Sequence, residues 1–112
     1  MTNSDDPPLS GDQEYHAFLS FDLEDKKFTD ALYHILRSKF DITVWYSIIE
    51  FRKKRPVLVS YEINKGIKES RYCLAIFSPR SINSWWFLKE LSAFETKEKM
   101  GQKLIIPILY QI

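Results

Sequence analysis

The hydrophobic pattern of the chain alternates between two kinds of segment. Four short segments are almost continuously apolar and rich in β-branched and aromatic residues, which is typical of strands buried on both faces. They lie at residues 15–21, 42–46, 72–77 and 104–110. Between them, apolar residues recur every three or four positions, which is the spacing of one helix face. The chain therefore predicts the order β-α-β-α-β-α-β.

Three apolar stripes define the predicted helices. They are Phe28, Ala31, Leu32, Ile35 and Leu36, then Val59, Ile63 and Ile67, then Phe87, Leu91 and Phe94. Asp22 is placed to cap the first helix, and Ser81, Asn83 or Ser84 to cap the third. Strands that alternate with helices through short connections predict an α/β fold, a parallel sheet with helices on both faces.

The carboxyl ends of the predicted strands are where we expect the functional residues. Ligands of open parallel sheets bind beyond these ends. Here the connecting segments are residues 21–25, 47–56 and 78–84. The last predicted strand contains Pro107, whose missing N–H places that strand at a sheet edge or at a bulge.

Composition bounds the classes of function. With 112 residues, 45% hydrophobic and 28% charged, the chain has the composition of one soluble globular domain. A net charge of +1 gives no general attraction to nucleic acid or to a membrane surface. No apolar run approaches the roughly 20 residues that span a bilayer. Residues 1–14 are polar and acidic without signal-peptide features, and we interpret them as a disordered leader or linker before a domain at 15–112.

Few residues suit a disulfide, a metal or a nucleotide-binding loop. Cys73 is the only cysteine, so no internal disulfide forms, and a reducing, cytoplasmic compartment fits. His16 and His34 have no cysteine or carboxylate at ligand spacing, which predicts no metal site. The glycines form neither common nucleotide-binding loop. A phospho-acceptor domain of this topology needs an aspartate at the end of the third strand, where Ser78 stands.

Five segments resemble the conserved boxes of the TIR (Toll/interleukin-1 receptor) domain family, in that family's order and spacing. The first, YHAFLSF followed by DLEDKKF, is similar to the opening strand and acidic turn. The others are VWY at 44–46, INKGIKESRYCLAIFSP at 63–79, SWWFLKEL at 84–91 and LIIPILY at 104–110. Together they extend over residues 15–112.

This resemblance implies a flavodoxin-like parallel sheet with strand order 2-1-3-4. It also implies that a fifth strand and a last helix are missing after Ile112, so we expect an incomplete domain that further sequence or a neighbouring chain completes. Many members of the family signal by homotypic assembly. Bacterial, plant and some animal members cleave NAD⁺ at the nicotinamide–ribose bond, and their catalytic glutamate falls here on Glu90.

Two departures from the family pattern concern the segment after the second strand. The family usually has an aspartate where this chain has Ser47, and its next loop usually carries a glycine. Here the loop contains Arg52, Lys53, Lys54 and Arg55 in succession, and we expect residues 47–56 to be irregular and mobile. The basic run is either a solvated loop tip or a contact surface for the pyrophosphate of NAD⁺ or for an acidic partner.

Trp86 and Glu90 are four residues apart and therefore share one face of the predicted third helix. A carboxylate beside the ribose stabilises the oxocarbenium-like transition state while nicotinamide, a cationic leaving group, departs neutral. A neighbouring tryptophan stacks on a flat ring or excludes water. In the alternative interpretation, Glu90 is an ordinary solvated helix residue and Trp86 belongs to the core.

Other residues at the strand ends complete the predicted substrate site. Phe21 and Asp22 follow the first strand, Tyr46 and Ser47 end the second, and Ser78 ends the third. Phe21 and Asp22 either contact the nicotinamide side of the substrate or serve in packing and capping. Ser78 either offers a hydroxyl to the pocket or starts the turn that follows it.

The sequence therefore predicts a cytoplasmic TIR-type NAD⁺ glycohydrolase that is active on self-assembly, in immune or anti-phage signalling. Its products are nicotinamide and ADP-ribose or a cyclic variant, with NAD⁺ as substrate and no bound cofactor. The expected partners are other TIR domains, without direct contact to nucleic acid or membrane. The main alternative is a non-catalytic module that recruits other TIR domains. A third is a secreted TIR protein that interferes with host signalling.

Overall fold

A computed structural model describes residues 14–53, 58–98 and 104–112. The strands are β1 (Tyr15–Ser20), β2 (Val44–Trp45), β3 (Ser70–Phe77) and β4 (Ile105–Leu109). The helices are α1 (Lys26–Lys39), α2 (Ser47–Lys53), α3 (Val59–Glu69) and α4 (Trp85–Glu98). Short 3-10 helices, Leu23–Asp25 and Ser81–Asn83, precede α1 and α4. The four predicted strands and three predicted helices are all present, and α2 is additional.

The strands form one parallel sheet in the order β2-β1-β3-β4, which confirms the predicted order. β1 and β3 lie in the centre of the sheet, and both strands have buried residues on their two faces. In β1, Phe18 lies beside Trp45 of β2 and Cys73 of β3. β4 is the outermost strand on its side, so the prediction that Pro107 belongs to an edge strand is correct.

Helices cover both faces of the sheet, as predicted. On one face, Phe18 stacks on Trp45 with ring centroids 4.8 Å apart, and α3 and α4 pack over them. On the opposite face, Leu19 and Ile76 pack beneath α1. Successive residues of β1 therefore pack on opposite faces of the sheet, as the pleat of a strand requires.

The prediction of an irregular loop over residues 47–56 is wrong for its first seven residues, which form α2. The backbone N–H groups of Ile49 and Glu50 donate to the Tyr46 carbonyl and begin the helix directly at the strand end. Ile49 then packs under α1, while Phe51 packs edge-on against Trp45 on the other side of the sheet. Apolar anchors on both sides hold this segment in a helix.

Two predicted features fall largely outside the described residues. The predicted leader, residues 1–14, contributes only Glu14, and residues 54–56 of the predicted loop are not described. Within the described ranges, every helix is too short or too polar to cross a membrane.

Candidate functional site

A cleft of about 240 Å³ opens at the carboxyl ends of β1 and β2, beside the start of α4. This is the place that the topology predicts for a ligand. Eight residues line the cleft: Leu19, Phe21, Asp22, Leu23, Ser47, Ser84, Trp86 and Glu90. Five of the residues predicted from the sequence, Phe21, Asp22, Ser47, Trp86 and Glu90, therefore come together in one place.

Glu90 is a buried carboxylate at the wall of this cleft. Only 7% of the residue is exposed, and its Oε1 accepts a hydrogen bond of 2.7 Å from the Ser20 hydroxyl at the end of β1. The start of α4 sets its position, because the Ser84 hydroxyl accepts a hydrogen bond from the Phe87 N–H and caps the helix. The alternative interpretation of Glu90 as a solvated helix residue is therefore wrong.

Burial raises the pKa of Glu90 to about 7. Hydrogen bonds from the Ser20 hydroxyl and from the Trp86 side chain favour the charged form and limit this rise in pKa. Within the described part of the chain, no Lys or Arg forms an ion pair with Glu90. The site therefore holds a carboxylate whose pKa lies near neutral pH and which no described Lys or Arg neutralises.

Trp86 forms the apolar side of the cleft. It is half-buried and lies one helical turn before Glu90, and both residues line the cleft. The Lys89 ammonium lies 5.4 Å from the Trp86 ring centroid and 5.0 Å from that of Trp85. Trp86 and Glu90 also border a smaller cavity of about 50 Å³ between α3 and α4. The indole thus lies next to the buried carboxylate along both spaces.

The residues after β1 and β2 line the opposite wall of the cleft. The Asp22 side chain accepts a 2.9 Å hydrogen bond from the Glu24 N–H and caps the 3-10 helix while still bordering the cleft. Phe21 packs against the Tyr46 ring, with centroids 5.3 Å apart, and also borders the cleft. Asp22 therefore caps a helix and Phe21 packs against Tyr46, and both residues also line the cleft. Ser47 borders the cleft as the first residue of α2.

Tyr46 does not line the cleft, contrary to its predicted place. The residue is fully buried, its hydroxyl donates a 2.5 Å hydrogen bond to Asp30 Oδ1, and it shares a 3.0 Å hydrogen bond with Thr29 Oγ1. Burial and the neighbouring Asp30 carboxylate raise the Tyr46 pKa. Tyr46 therefore links β2 to α1.

Ser78 also lies outside the cleft lining. Its hydroxyl donates a 2.5 Å hydrogen bond to Asp25 Oδ2 and accepts from the N–H groups of Arg80 and Ser81. The Arg80 guanidinium donates to the other oxygen of Asp25. This network fixes the turn after β3 against the 3-10 helix after β1. It agrees with the second interpretation of Ser78, in which the residue starts the turn.

The predicted interface residues are only partly described. Arg52 and Lys53 are exposed at the end of α2, and the Lys53 ammonium lies 3.5 Å from the Glu50 carboxylate. Lys54 and Arg55 fall outside the described residues.

The sequence reasoning missed Ser20 as a site residue and treated Ser84 only as a cap. Ser20 was detectable, because alternate residues of a strand share a face. Phe18 packs against Phe94 of α4, so Ser20, two residues further along β1, is directed to the same helix. In the parts of the chain that the structure describes, no group of three His, Cys, Asp or Glu side chains is arranged to hold a metal ion.

An open parallel sheet in the order β2-β1-β3-β4, with helices on both faces, defines a flavodoxin-like α/β domain, and the cleft with the buried Glu90 is its candidate ligand site. A family model described as "TIR domain" matches residues 17–112. The chain belongs to the TIR domain family.

Two curated relatives illustrate the sequence similarity. The chain is 34% identical over 100 residues to the NAD(+) hydrolase TcpA of Theionarchaea archaeon (strain DG-70-1), covering 88% of this chain and 30% of that protein. It is 32% identical over 100 residues to the 2' cyclic ADP-D-ribose synthase AbTIR of Acinetobacter baumannii (strain 1295743), covering 88% of this chain and 36% of that protein. The chain thus spans about a third of the length of these relatives.

Solved structures show the same architecture. The TIR domains of the activated Roq1 resistosome are 33% identical, with a TM-score of 0.68 over 88% of this chain and 59% of that one. A metazoan TIR-STING receptor from C. gigas in complex with 2',3'-cGAMP has a TM-score of 0.75 at 22% identity, over 92% of this chain and 31% of that one. At that identity, the second match supports the fold alone.

Proposed function

We propose that this chain is a TIR-domain NAD⁺ glycohydrolase that cleaves the nicotinamide–ribose bond. The observation that carries the proposal is the buried Glu90 carboxylate, which no described cation neutralises, at the wall of a cleft with an indole beside it. The names of two relatives, an NAD(+) hydrolase and a 2' cyclic ADP-D-ribose synthase, support the same substrate.

The chemistry needs one well-placed negative charge. When the bond between ribose C1′ and the nicotinamide nitrogen breaks, its electron pair goes to the nitrogen, and nicotinamide leaves neutral. Positive charge then develops at C1′ and the ribose ring oxygen. Ionised Glu90 beside that carbon stabilises this charge, more strongly in a buried site than in water. Water adds to C1′ and loses a proton to give ADP-ribose, whereas attack by a hydroxyl of the same molecule gives a cyclic product.

The other cleft residues bind and orient the substrate in this proposal. Trp86 and Phe21 offer flat apolar surfaces for the nicotinamide ring, and Trp86 excludes water from the Glu90 side. Ser47 and Asp22 offer polar groups to the ribose hydroxyls from the opposite wall. A cleft of about 240 Å³ is smaller than the usual range of about 300–1,000 Å³ for complete ligand sites, and it suits the nicotinamide riboside half of NAD⁺.

The test is NAD⁺ turnover by a Glu90→Gln variant, measured as released nicotinamide. Glutamine keeps the size of the side chain but cannot carry the charge, so we expect turnover to fall by at least about a hundredfold. Glu95→Gln, at an exposed position of the same helix, is the matched control and should retain full turnover. If Glu90→Gln cleaves NAD⁺ at the wild-type rate, Glu90 is not the catalytic residue.

Self-assembly is the second part of the proposal. The cleft suits only the nicotinamide riboside half of NAD⁺, and its described lining contains no Lys or Arg, so cations for the pyrophosphate must come from outside the cleft. We infer that a second copy contributes to binding, with Arg52 and Lys53 at the end of α2 as the exposed candidates. The setting that we propose is cytoplasmic immune or anti-phage signalling, in which the reaction depletes NAD⁺ or makes a nucleotide signal.

The same lack of cations in the cleft lining favours one alternative, a non-catalytic module that signals by TIR–TIR contacts alone. The two functions differ in one measurement. A non-catalytic module associates with itself and leaves NAD⁺ intact at every protein concentration, whereas the proposed enzyme releases nicotinamide once it assembles.

A further inference from the structure

The contact between Ser20 and Glu90 joins the centre of the sheet to α4. Ser20 is the last residue of β1, is fully buried and is aligned with Ala75 of β3. Because Ser20 pairs with β3, its backbone is held by the sheet. Its hydroxyl donates a 2.7 Å hydrogen bond to Glu90 Oε1 across 70 positions of sequence.

Two side chains next to the Glu90 carboxylate favour its charged form, and they differ in rigidity. Trp86 belongs to the same helix as Glu90 and moves with it, whereas Ser20 belongs to the sheet. Only the Ser20 contact therefore fixes the carboxylate relative to the cleft wall that Phe21 and Asp22 form directly after β1. A hydroxyl that donates to a carboxylate favours its charged form.

The other titratable groups near Glu90 do not replace this contact. From β3, the Cys73 thiol lies in the same core, and burial raises its pKa, so it stays neutral near pH 7. From α4, the Lys89 ammonium lies over the rings of Trp85 and Trp86. From the segment after β1, Asp22 accepts from the Glu24 N–H.

We propose that Ser20 is a positioning residue for the catalytic carboxylate: its hydroxyl holds Glu90 toward the cleft and maintains its charged form at neutral pH. The catalytic part of this inference rests on the proposed NAD⁺ cleavage. The effect on the ionisation of Glu90 does not, and it is measured separately.

The experiment is an NMR titration of ¹³C-labelled glutamate carboxyls in wild type and Ser20→Ala, with the Glu90 resonance identified by its loss in Glu90→Gln. Removing a donor to the charged form should move the Glu90 pKa upward by about 1 pH unit. The pH profile of NAD⁺ turnover should shift upward equally, so turnover at pH 7 falls by about fivefold. Ser20→Cys, which keeps the side-chain size but donates weakly, should move the pKa in the same direction.

Ser70→Ala is the matched control. Ser70 is also a fully buried serine, and its hydroxyl donates to the Gly66 carbonyl at the opposite end of the sheet. This variant should lose similar stability without moving the Glu90 pKa. A Glu90 pKa that is equal in Ser20→Ala and wild type would overturn the inference. If wild type does not cleave NAD⁺, the proposed function fails, while the NMR titration still decides the role of Ser20.

Discussion

At the scale of single residues, Glu90 brings a conflict between stability and function. Its pKa is about 7 in the folded chain and 4.5 as an unperturbed group, so folding favours the protonated form. The stability that this preference contributes is fully present below pH 4.5 and is lost as the pH rises through 7. At neutral pH and above, the folded chain therefore contains a buried charge that the proposed reaction needs and the fold does not.

Glu90→Gln should therefore stabilise the chain, but only where the wild-type carboxyl is ionised. Glutamine remains neutral and can still accept a hydrogen bond from Ser20. We expect the variant to be more stable than wild type by roughly 3 kcal/mol at pH 8, with the difference disappearing near pH 4. Urea unfolding at a series of pH values measures this difference. If the stability difference between Glu90→Gln and wild type is the same at pH 4 and pH 8, the ionised Glu90 carboxylate is not destabilised by burial.

The sequence predicted most of the cleft because the residues next to strand ends are few and the topology brings those ends together. It misplaced Tyr46 for a physical reason. Residues at the end of a strand alternate between faces, and the position of the Tyr46 hydroxyl depends on Thr29 and Asp30 of α1. Thr29 is fully buried although it lies outside the apolar stripe of α1, so that stripe did not indicate the contact with Tyr46.

At the scale of elements, the packing of α3 on β2 depends on a missing side chain. Gly66 lies on the face of α3 that crosses Trp45, and a Cβ at this position would lie 2.5 Å from the indole. Trp45 is itself fixed in the core by Phe18, which stacks on it, and by Phe51 at its edge. The indole therefore has no open space into which it can shift.

Gly66→Ala should destabilise the chain although alanine favours helices. The gain in helix propensity is about 1 kcal/mol, whereas overpacking a filled core costs about 1–3 kcal/mol. With a closest approach of 2.5 Å, we expect a net loss of stability, seen as a lower urea midpoint. Lys65→Ala, at the exposed neighbouring position, should leave the midpoint almost unchanged. A Gly66→Ala variant as stable as wild type would mean that α3 lies further from β2.

The elements also differ in how far their sequence determines them. β1 and β3 were predictable because both faces are buried, which gives continuous apolar runs. β2 is shorter than predicted, since the Thr43 side chain and N–H hydrogen-bond His16 before the ladder begins at Val44. α2 was missed because residues 48, 49 and 51 pack against two different layers, so they form no single apolar stripe.

At the scale of the whole molecule, the described sheet ends at β4. β4 is the outermost strand, and no described strand pairs with its outer side. Pro107 lacks one donor there, and the Ile105 N–H donates to the Glu98 carboxylate, so only part of the backbone groups of this edge are left for another strand. Ile106 is 44% exposed and Leu109 is 71% exposed, so the same edge also carries apolar side chains. An edge with both features is suited to pairing with a second chain.

We therefore expect this chain to self-associate, with NAD⁺ turnover per molecule that rises with protein concentration. Ile106→Lys adds a charge to the edge, which is a common way in which natural sheets prevent pairing, and it should weaken association at least about tenfold. Ile112→Lys, the same change at a more exposed isoleucine beyond the strand, is the matched control. Sedimentation velocity and nicotinamide release across one concentration series measure both quantities. If the chain stays monomeric at all concentrations and its turnover per molecule is constant, the prediction is wrong. The β4 edge would then bind no second chain, and the activity would not depend on it.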